Sequence, residues 1–150
     1  MKFQGHAHRS LDPKGRLMLP PEYRDRIVAD SAEGRVVLTI LDDCVVGFTA
    51  AEWTIVIDEI AKIKNPSKKL RNFKRKFISG SEELTLDKQG RVMIPAHLRE
   101  YGSLDREVVL AGMGTYFEVW NREEFRRMLA QQDLEDVSEE LSECDVNLPI

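Results

Sequence analysis

Apolar positions in this chain come in short bursts rather than long stripes. Leu17-Met18-Leu19, residues 36–40, residues 44–48, Val92-Met93-Ile94, residues 108–111 and residues 116–120 are such bursts, bounded by Gly, Pro, Asp or Asn. Short, β-branched runs between turn residues predict short strands. Other apolar positions recur at helical spacing: Trp53, Val56, Ile57, Ile60 and Ile63; then Leu70, Phe73 and Phe77; then Phe125, Met128 and Leu129. Each set predicts a helix burying one stripe. Short strands interleaved with helices give an α+β chain.

The pattern repeats. Asp12-Pro13-Lys14-Gly15-Arg16-Leu17-Met18-Leu19-Pro20 returns as Asp87-Lys88-Gln89-Gly90-Arg91-Val92-Met93-Ile94-Pro95, 75 residues later. From residue 11 to 24 against 86 to 99, seven of fourteen positions are identical. A duplication accounts for this better than chance, and a repeat changes how everything else is read.

Each copy carries turn chemistry. Asp12 and Asp87 are placed to accept backbone N–H groups a few residues on, and Gly15 and Gly90 to take a left-handed conformation without a Cβ penalty. Pro13 presets φ in the first copy. The order fits a type I turn with a glycine bulge joining a hairpin whose first strand lies in residues 3–11. Asp and Arg flank the turn and are expected to pair across it. Pro20 and Pro95 end the second strand because proline cannot donate to the ladder. A turn needs the glycine; it does not need Arg16 and Arg91, yet both copies keep them.

The second parts of the copies also correspond. Pro20-Pro21-Glu22 and Pro95-Ala96-His97 each open a short helix. Asp42-Asp43 and residues 112–114 turn a second hairpin, now with an offset of 72, so that Phe48 matches Trp120 and Trp53 matches Phe125. Thr49 with Glu52 is a capping box, and Asn121 with Glu124 a near-equivalent. Asn65-Pro66-Ser67 breaks the first long helix. The division is a first repeat over 1–64, a basic connecting helix in 65–79, a second repeat over 80–132, and an acidic tail over 133–150, in which residues 134–141 predict a last short helix.

Composition narrows the function classes. With 42% hydrophobic and 32% charged residues the chain reads as globular. No apolar run approaches the ~20 residues needed to span a bilayer, and residues 1–10 show no secretory signal. Cys44, in an apolar run, and Cys144, in the acidic tail, are not expected to pair; a reduced cytosolic setting follows. The net charge of −4 hides an asymmetry: the tail holds seven acidic residues and no basic one, so without it −4 becomes +3. Residues 62–76 hold eight basic residues and no acidic one. Such opposed segments say more than the sum. His6 and His8 have no companion set of ligands, so no metal site is assigned. Cys44 reads as core rather than nucleophile. No phosphate loop or nucleophile elbow is present, so neither cofactor, small-molecule substrate nor enzymatic activity is assigned.

The paired Asp-x-x-Gly-Arg motifs, the strands ending in Pro, and Glu118-Val119-Trp120 after the second hairpin resemble the MraZ family of bacterial transcriptional regulators, relatives of the AbrB-like swapped-hairpin proteins. The resemblance covers roughly residues 1–145. It implies that the two repeats interlock their hairpins into one small swapped-hairpin β-barrel with flanking helices. It further implies a homo-oligomeric ring, cytoplasmic and nucleoid-associated, that binds double-stranded DNA at short direct repeats in the promoter of its own division and cell-wall gene cluster, as a repressor. Carried onto this sequence, the DNA-binding residues are Lys14 and Arg16 in the first copy and Lys88 and Arg91 in the second. Gln89 stands where Lys14 does, with Lys88 one position earlier.

The residues support DNA independently, since Arg is the commonest bidentate reader of guanine and a two-stranded ribbon fits the major groove. A second reading stays open: an AbrB-like interaction scaffold or antitoxin-type module, docking through the tail or the 67–77 helix. That helix is either the solvated face of a connector or a strip for phosphates.

Overall fold

The computed structural model describes residues 2–131 and 137–149. The first repeat runs β1 (His6–Ser10), β2 (Arg16–Met18), α1 (Pro21–Asp30), β3 (Arg35–Leu41), β4 (Cys44–Thr49) and α2 (Ala50–Ala61). After α3 (Lys68–Phe77) the order recurs as β5 (Glu82–Thr85), β6 (Arg91–Met93), α4 (Ala96–Tyr101), β7 (Glu107–Gly112), β8 (Phe117–Asn121) and α5 (Arg122–Leu129). A last helix, α6, covers Ser138–Glu143. It replaces the helix expected over 134–141, whose residues 134–136 lie outside those described.

Six antiparallel strands form one sheet in the order β1-β7-β8-β4-β3-β5, and β2 pairs with β6 in a separate ribbon. The order is a palindrome under exchange of the repeats. Its axis passes through two pairs, Leu17 opposite Val92 and Val46 opposite Glu118. The swap is visible in the ladders. β1 of the first repeat pairs with β7 of the second, and β5 of the second pairs with β3 of the first. The expected hairpin between residues 3–11 and β2 is therefore only a turn, because its two strands find their partners in the opposite repeat. The expected barrel is not closed among the described residues: the sheet ends at β1 and β5. A three-residue ribbon halted by Pro20 and Pro95 is too short to join those edges.

Both sheet faces are covered. Val45, Phe117, Val119, Val36, Leu38, Val108 and Leu110 join Leu17, Leu19, Val92 and Ile94 from the ribbon, and Tyr23, Ile27 and Leu98 from α1 and α4, in the main core. On the other face Cys44, Val46 and Phe48 pack under α2 and α3, and Val109 and Ala111 under α5. Every residue of β4 is buried, which explains its unbroken apolar run. The Cys44 thiol is accordingly pushed far up by burial, as expected of a core cysteine; Cys144 is exposed. Asp42 and Asp43 both take positive φ, at 50° and 68°, turning β3 into β4. Two such residues in succession match the right-handed strand twist, and Asp tolerates the conformation.

The helix caps follow the sequence. Thr49 Oγ1 accepts from the Glu52 N–H at 3.2 Å, and Asn121 Oδ1 from the Glu124 N–H at 3.0 Å. The apolar stripe of α2 differs from expectation: no α2 residue is fully buried, and Ile63 beyond it is exposed. On α3 only Phe77 is buried; Leu70 and Phe73 each retain 37% exposure. Helical spacing fixes which residues share a face, not whether a neighbour covers it.

Candidate nucleic-acid interface

The two Asp-x-x-Gly-Arg turns build the same structure twice. Asp12 N–H donates to the Arg16 carbonyl at 3.1 Å and Gly15 N–H to the Asp12 carbonyl at 2.9 Å. Asp87 with Arg91, and Gly90 with Asp87, repeat these bonds at 2.9 Å each. Gly15 and Gly90 sit at φ of +83° and +81°, where an L side chain is strained.

One carboxylate oxygen in each turn then organises the backbone. Asp12 Oδ1 accepts from Lys14 N–H at 2.9 Å and Arg16 N–H at 2.8 Å. Asp87 Oδ1 accepts from Gln89 and Arg91 N–H, both at 2.9 Å. The other oxygen takes the arginine. Arg16 Nε donates to Asp12 Oδ2, and Arg91 Nε to Asp87 Oδ2 at 2.8 Å. Both carboxyls are held below their ordinary pKa, first by the arginine N–H bond. That backbone N–H bond is the largest influence; desolvation opposes it, and the arginine side-chain bond, the second backbone N–H and the ion pair add to it, so the charged form is favoured.

The pairing uses the guanidinium nitrogen nearest the backbone. The arginines are neither sealed inside nor free to sweep: their side chains are 32% and 26% exposed. Such a side chain loses less freedom on gripping a ligand than an unanchored one. Arg91 Nη2 also leans on Gln89 Oε1 at 3.3 Å. Lys14 and Lys88 are exposed beside the turns and make no ion pair among the described residues.

The swap brings both turns together. β2 and β6 run antiparallel with Arg16 opposite Met93 and Met18 opposite Arg91. Each turn is also stitched to the other repeat. Gly15 carbonyl accepts from Ile94 N–H at 3.0 Å, and Gly90 carbonyl from Leu19 N–H at 3.3 Å. Arg16 and Arg91, from opposite ends of the sequence motif pair, thus share one ribbon.

Two pairs of residues at this site escaped the sequence reading. Arg24 and Arg99 each cross to the opposite turn. A Cβ on Gly15 would lie 2.8 Å from Arg99 Nε, and one on Gly90 2.7 Å from Arg24 Cδ. Arg99 is held there by donation from its Nε to the Ile94 carbonyl at 2.9 Å. Their recurrence at one place in each copy was the available signal. The glycines therefore serve close packing as well as turn geometry. Met18 and Met93 are exposed, whereas Leu17 and Val92 between the arginines and methionines are buried.

A groove of about 630 Å³ opens beside the first turn, lined by Leu11, Asp12, Pro13, Gly15, Arg99 and Arg106 among others. His6 and His8 lie on the outer strand β1, and the His6 ring meets Phe125 edge-on at 4.9 Å. Among the described residues no group of three His, Cys, Asp or Glu is placed to hold a metal ion. Nor is any helix there long and apolar enough to cross a membrane.

The comparisons with known proteins agree with the doubled motif. A family model described as "MraZ protein, putative antitoxin-like" matches residues 3–76 and again 77–145. The chain is 58% identical over 149 residues to a protein of Maridesulfovibrio salexigens named "Transcriptional regulator MraZ", covering 99% of both. It is 49% identical over 150 residues to a protein of the same name in Oleidesulfovibrio alaskensis, covering 100% of both. A third, in Nitratidesulfovibrio vulgaris, is 48% identical over 147 residues, covering 98% of both. With two family matches in tandem and full-length relatives at this identity, the chain belongs to the MraZ family.

Proposed function

We propose that this protein is a sequence-specific DNA-binding regulator of transcription, and that the β2–β6 ribbon with its two turns is the reading surface. The observation that carries this is the register of the ribbon, which brings Arg16 and Arg91 onto one strip, each guanidinium fixed by a turn aspartate. A two-stranded ribbon fits the major groove, and an arginine there reads the O6 and N7 of guanine. Lys14 and Lys88 contact phosphates, which positions the ribbon without reading sequence. Asp12, Gly15, Asp87 and Gly90 shape the turns and do not touch DNA.

The relatives are named for transcriptional regulation, not for a reaction. In the finer reading the protein is a cytoplasmic, nucleoid-associated repressor of its own gene cluster, binding short direct repeats as a ring. Few cations stand at one ribbon, so one chain binds weakly, and linked copies on adjacent repeats raise affinity through effective concentration. The exposed Ile55 and Ile63 near α2 and Leu70 and Phe73 on α3 are surfaces that neighbouring copies would cover.

The test is a gel-shift titration of the full chain on the duplex directly upstream of its own coding sequence, against a scrambled duplex. Arg16→Ala and Arg91→Ala should each lose about tenfold to a hundredfold on the upstream duplex. Their size and melting temperature should stay near wild type. A wild type that binds both duplexes equally, or variants that bind as it does, would overturn the reading in favour of a protein-docking module.

A further inference from the structure

The ribbon's two exposed methionines have no role in the turns. β2 and β6 each turn the middle residue inward, Leu17 and Val92 at 0% and 1% exposure. The flanking residues face outward. On that outer face Met18 and Met93 are 41% and 55% exposed. Each stands directly opposite an arginine of the other repeat. The face is therefore a two-by-two block with guanidiniums on one diagonal and thioethers on the other.

Opposed residues in such a ribbon lie about 5 Å apart, and alternate residues of one strand about 7 Å apart. That block matches roughly two base-pair steps at about 3.4 Å each. Any duplex that brings its base edges to Arg16 and Arg91 also brings them to the methionines. The apolar feature of a major-groove edge is the 5-methyl of thymine. Methionine is unbranched and polarizable, so it adapts to such a surface.

We propose that Met18 and Met93 are specificity-determining residues, each packing on a thymine methyl within about two base pairs of the guanine read by the neighbouring arginine. This rests on the regulator reading above and adds a second chemical feature to the site that is read.

The experiment uses the full-length chain and the upstream duplex, with each thymine of the protected segment replaced in turn by deoxyuridine, which removes only the methyl. Binding is followed by fluorescence anisotropy for wild type, Met18→Ala, Met93→Ala and Met18→Leu. At one or more positions the wild type should weaken about three- to fivefold, the effect of losing one buried methyl. The matching alanine variant should start weaker and then ignore the same replacement; Met18→Leu should remain sensitive. If no deoxyuridine position weakens the wild type while Arg16→Ala still loses about tenfold or more on the upstream duplex, this inference fails and the regulator reading stands. Alanine variants that remain as sensitive to the replacement as wild type would also overturn it. A wild type that does not distinguish the upstream from the scrambled duplex would remove both.

Discussion

The first repeat and the second share their turns almost bond for bond and differ in what covers them. Asp12 and Asp87 hold equivalent backbone N–H groups within 0.1 Å of one another in length, across sequences that agree only at Asp, Gly and Arg. On the outer sheet face, by contrast, the first half lies under α2 and α3, while Val109 and Ala111 of the second lie under α5. The ribbon must be symmetric because its two strands complete each other across the axis; the outer face is under no such constraint. Symmetry has been kept where the repeats meet and lost where they do not.

The largest effect is expected at the one place near the axis where the symmetry of the core is traded between partners. Val45 faces Val119, but their counterparts across the axis are Phe117 and Gly47. The Phe117 ring fills the space a Gly47 side chain would take, within 2.2 Å of a Cβ there. It also packs edge-on against Phe3 at 5.2 Å. Gly47→Val should destabilise by about 3 kcal/mol, and Phe117→Val by a similar amount through the cavity it leaves. The double variant recreates the valine pair and should recover at least 1 kcal/mol of the sum, measured as a coupling term in urea unfolding.

A smaller effect separates the two outer faces. Buried Thr39 Oγ1 donates to the Phe77 carbonyl at 2.5 Å, tying the end of α3 to β3. Ala111 holds the matching position in β7, where it packs against Phe125 of α5 instead. Thr39→Val should cost about 1 kcal/mol and speed amide exchange through α3. Ala111→Thr should give no such protection anywhere.

The turns differ in charge, and that difference is adjustable. Gln89→Lys makes the second tip resemble the first. It should steepen the salt dependence of DNA binding by about 0.9 in log–log slope, and Lys14→Ala should flatten it by the same amount. Neither should change which duplex is preferred. The smallest effect is on pH. Because folding depresses the Asp12 and Asp87 carboxyls, the stability they lend is complete above the ordinary value of 3.8 and fades only as pH falls below it. Unfolding followed from pH 8 to pH 5 should show no step from these groups, and Asp12→Asn should lose stability chiefly above pH 4.

Much of this was legible in the sequence because it is local. The Asp-to-Gly spacing, the capping residues Thr49 and Asn121, and the Asp42-Asp43 turn each act within a few residues of themselves. The ladder partners were not legible. Nothing in residues 6–10 says that they pair with 107–111 across the repeats rather than with β2, since both choices satisfy the same alternation. Nor was the exposure of Met18 and Met93 legible, for a related reason. A strand of three residues is too short for its pattern to fix the buried face. The half-exposed stripe of α2 was misjudged because its spacing is that of a buried helix, and its cover must come from elsewhere.

The central claim is that one composite ribbon, drawn from both repeats, meets DNA. A photo-cross-linking amino acid placed at position 14, 89 or 55 in the full chain tests it most directly, using the labelled upstream duplex. Positions 14 and 89, at the two turn tips, should both cross-link, and position 55, on α2 at the far face of the sheet, should not. Cross-linking from position 55 alone, or from only one of the two turns, would contradict the account.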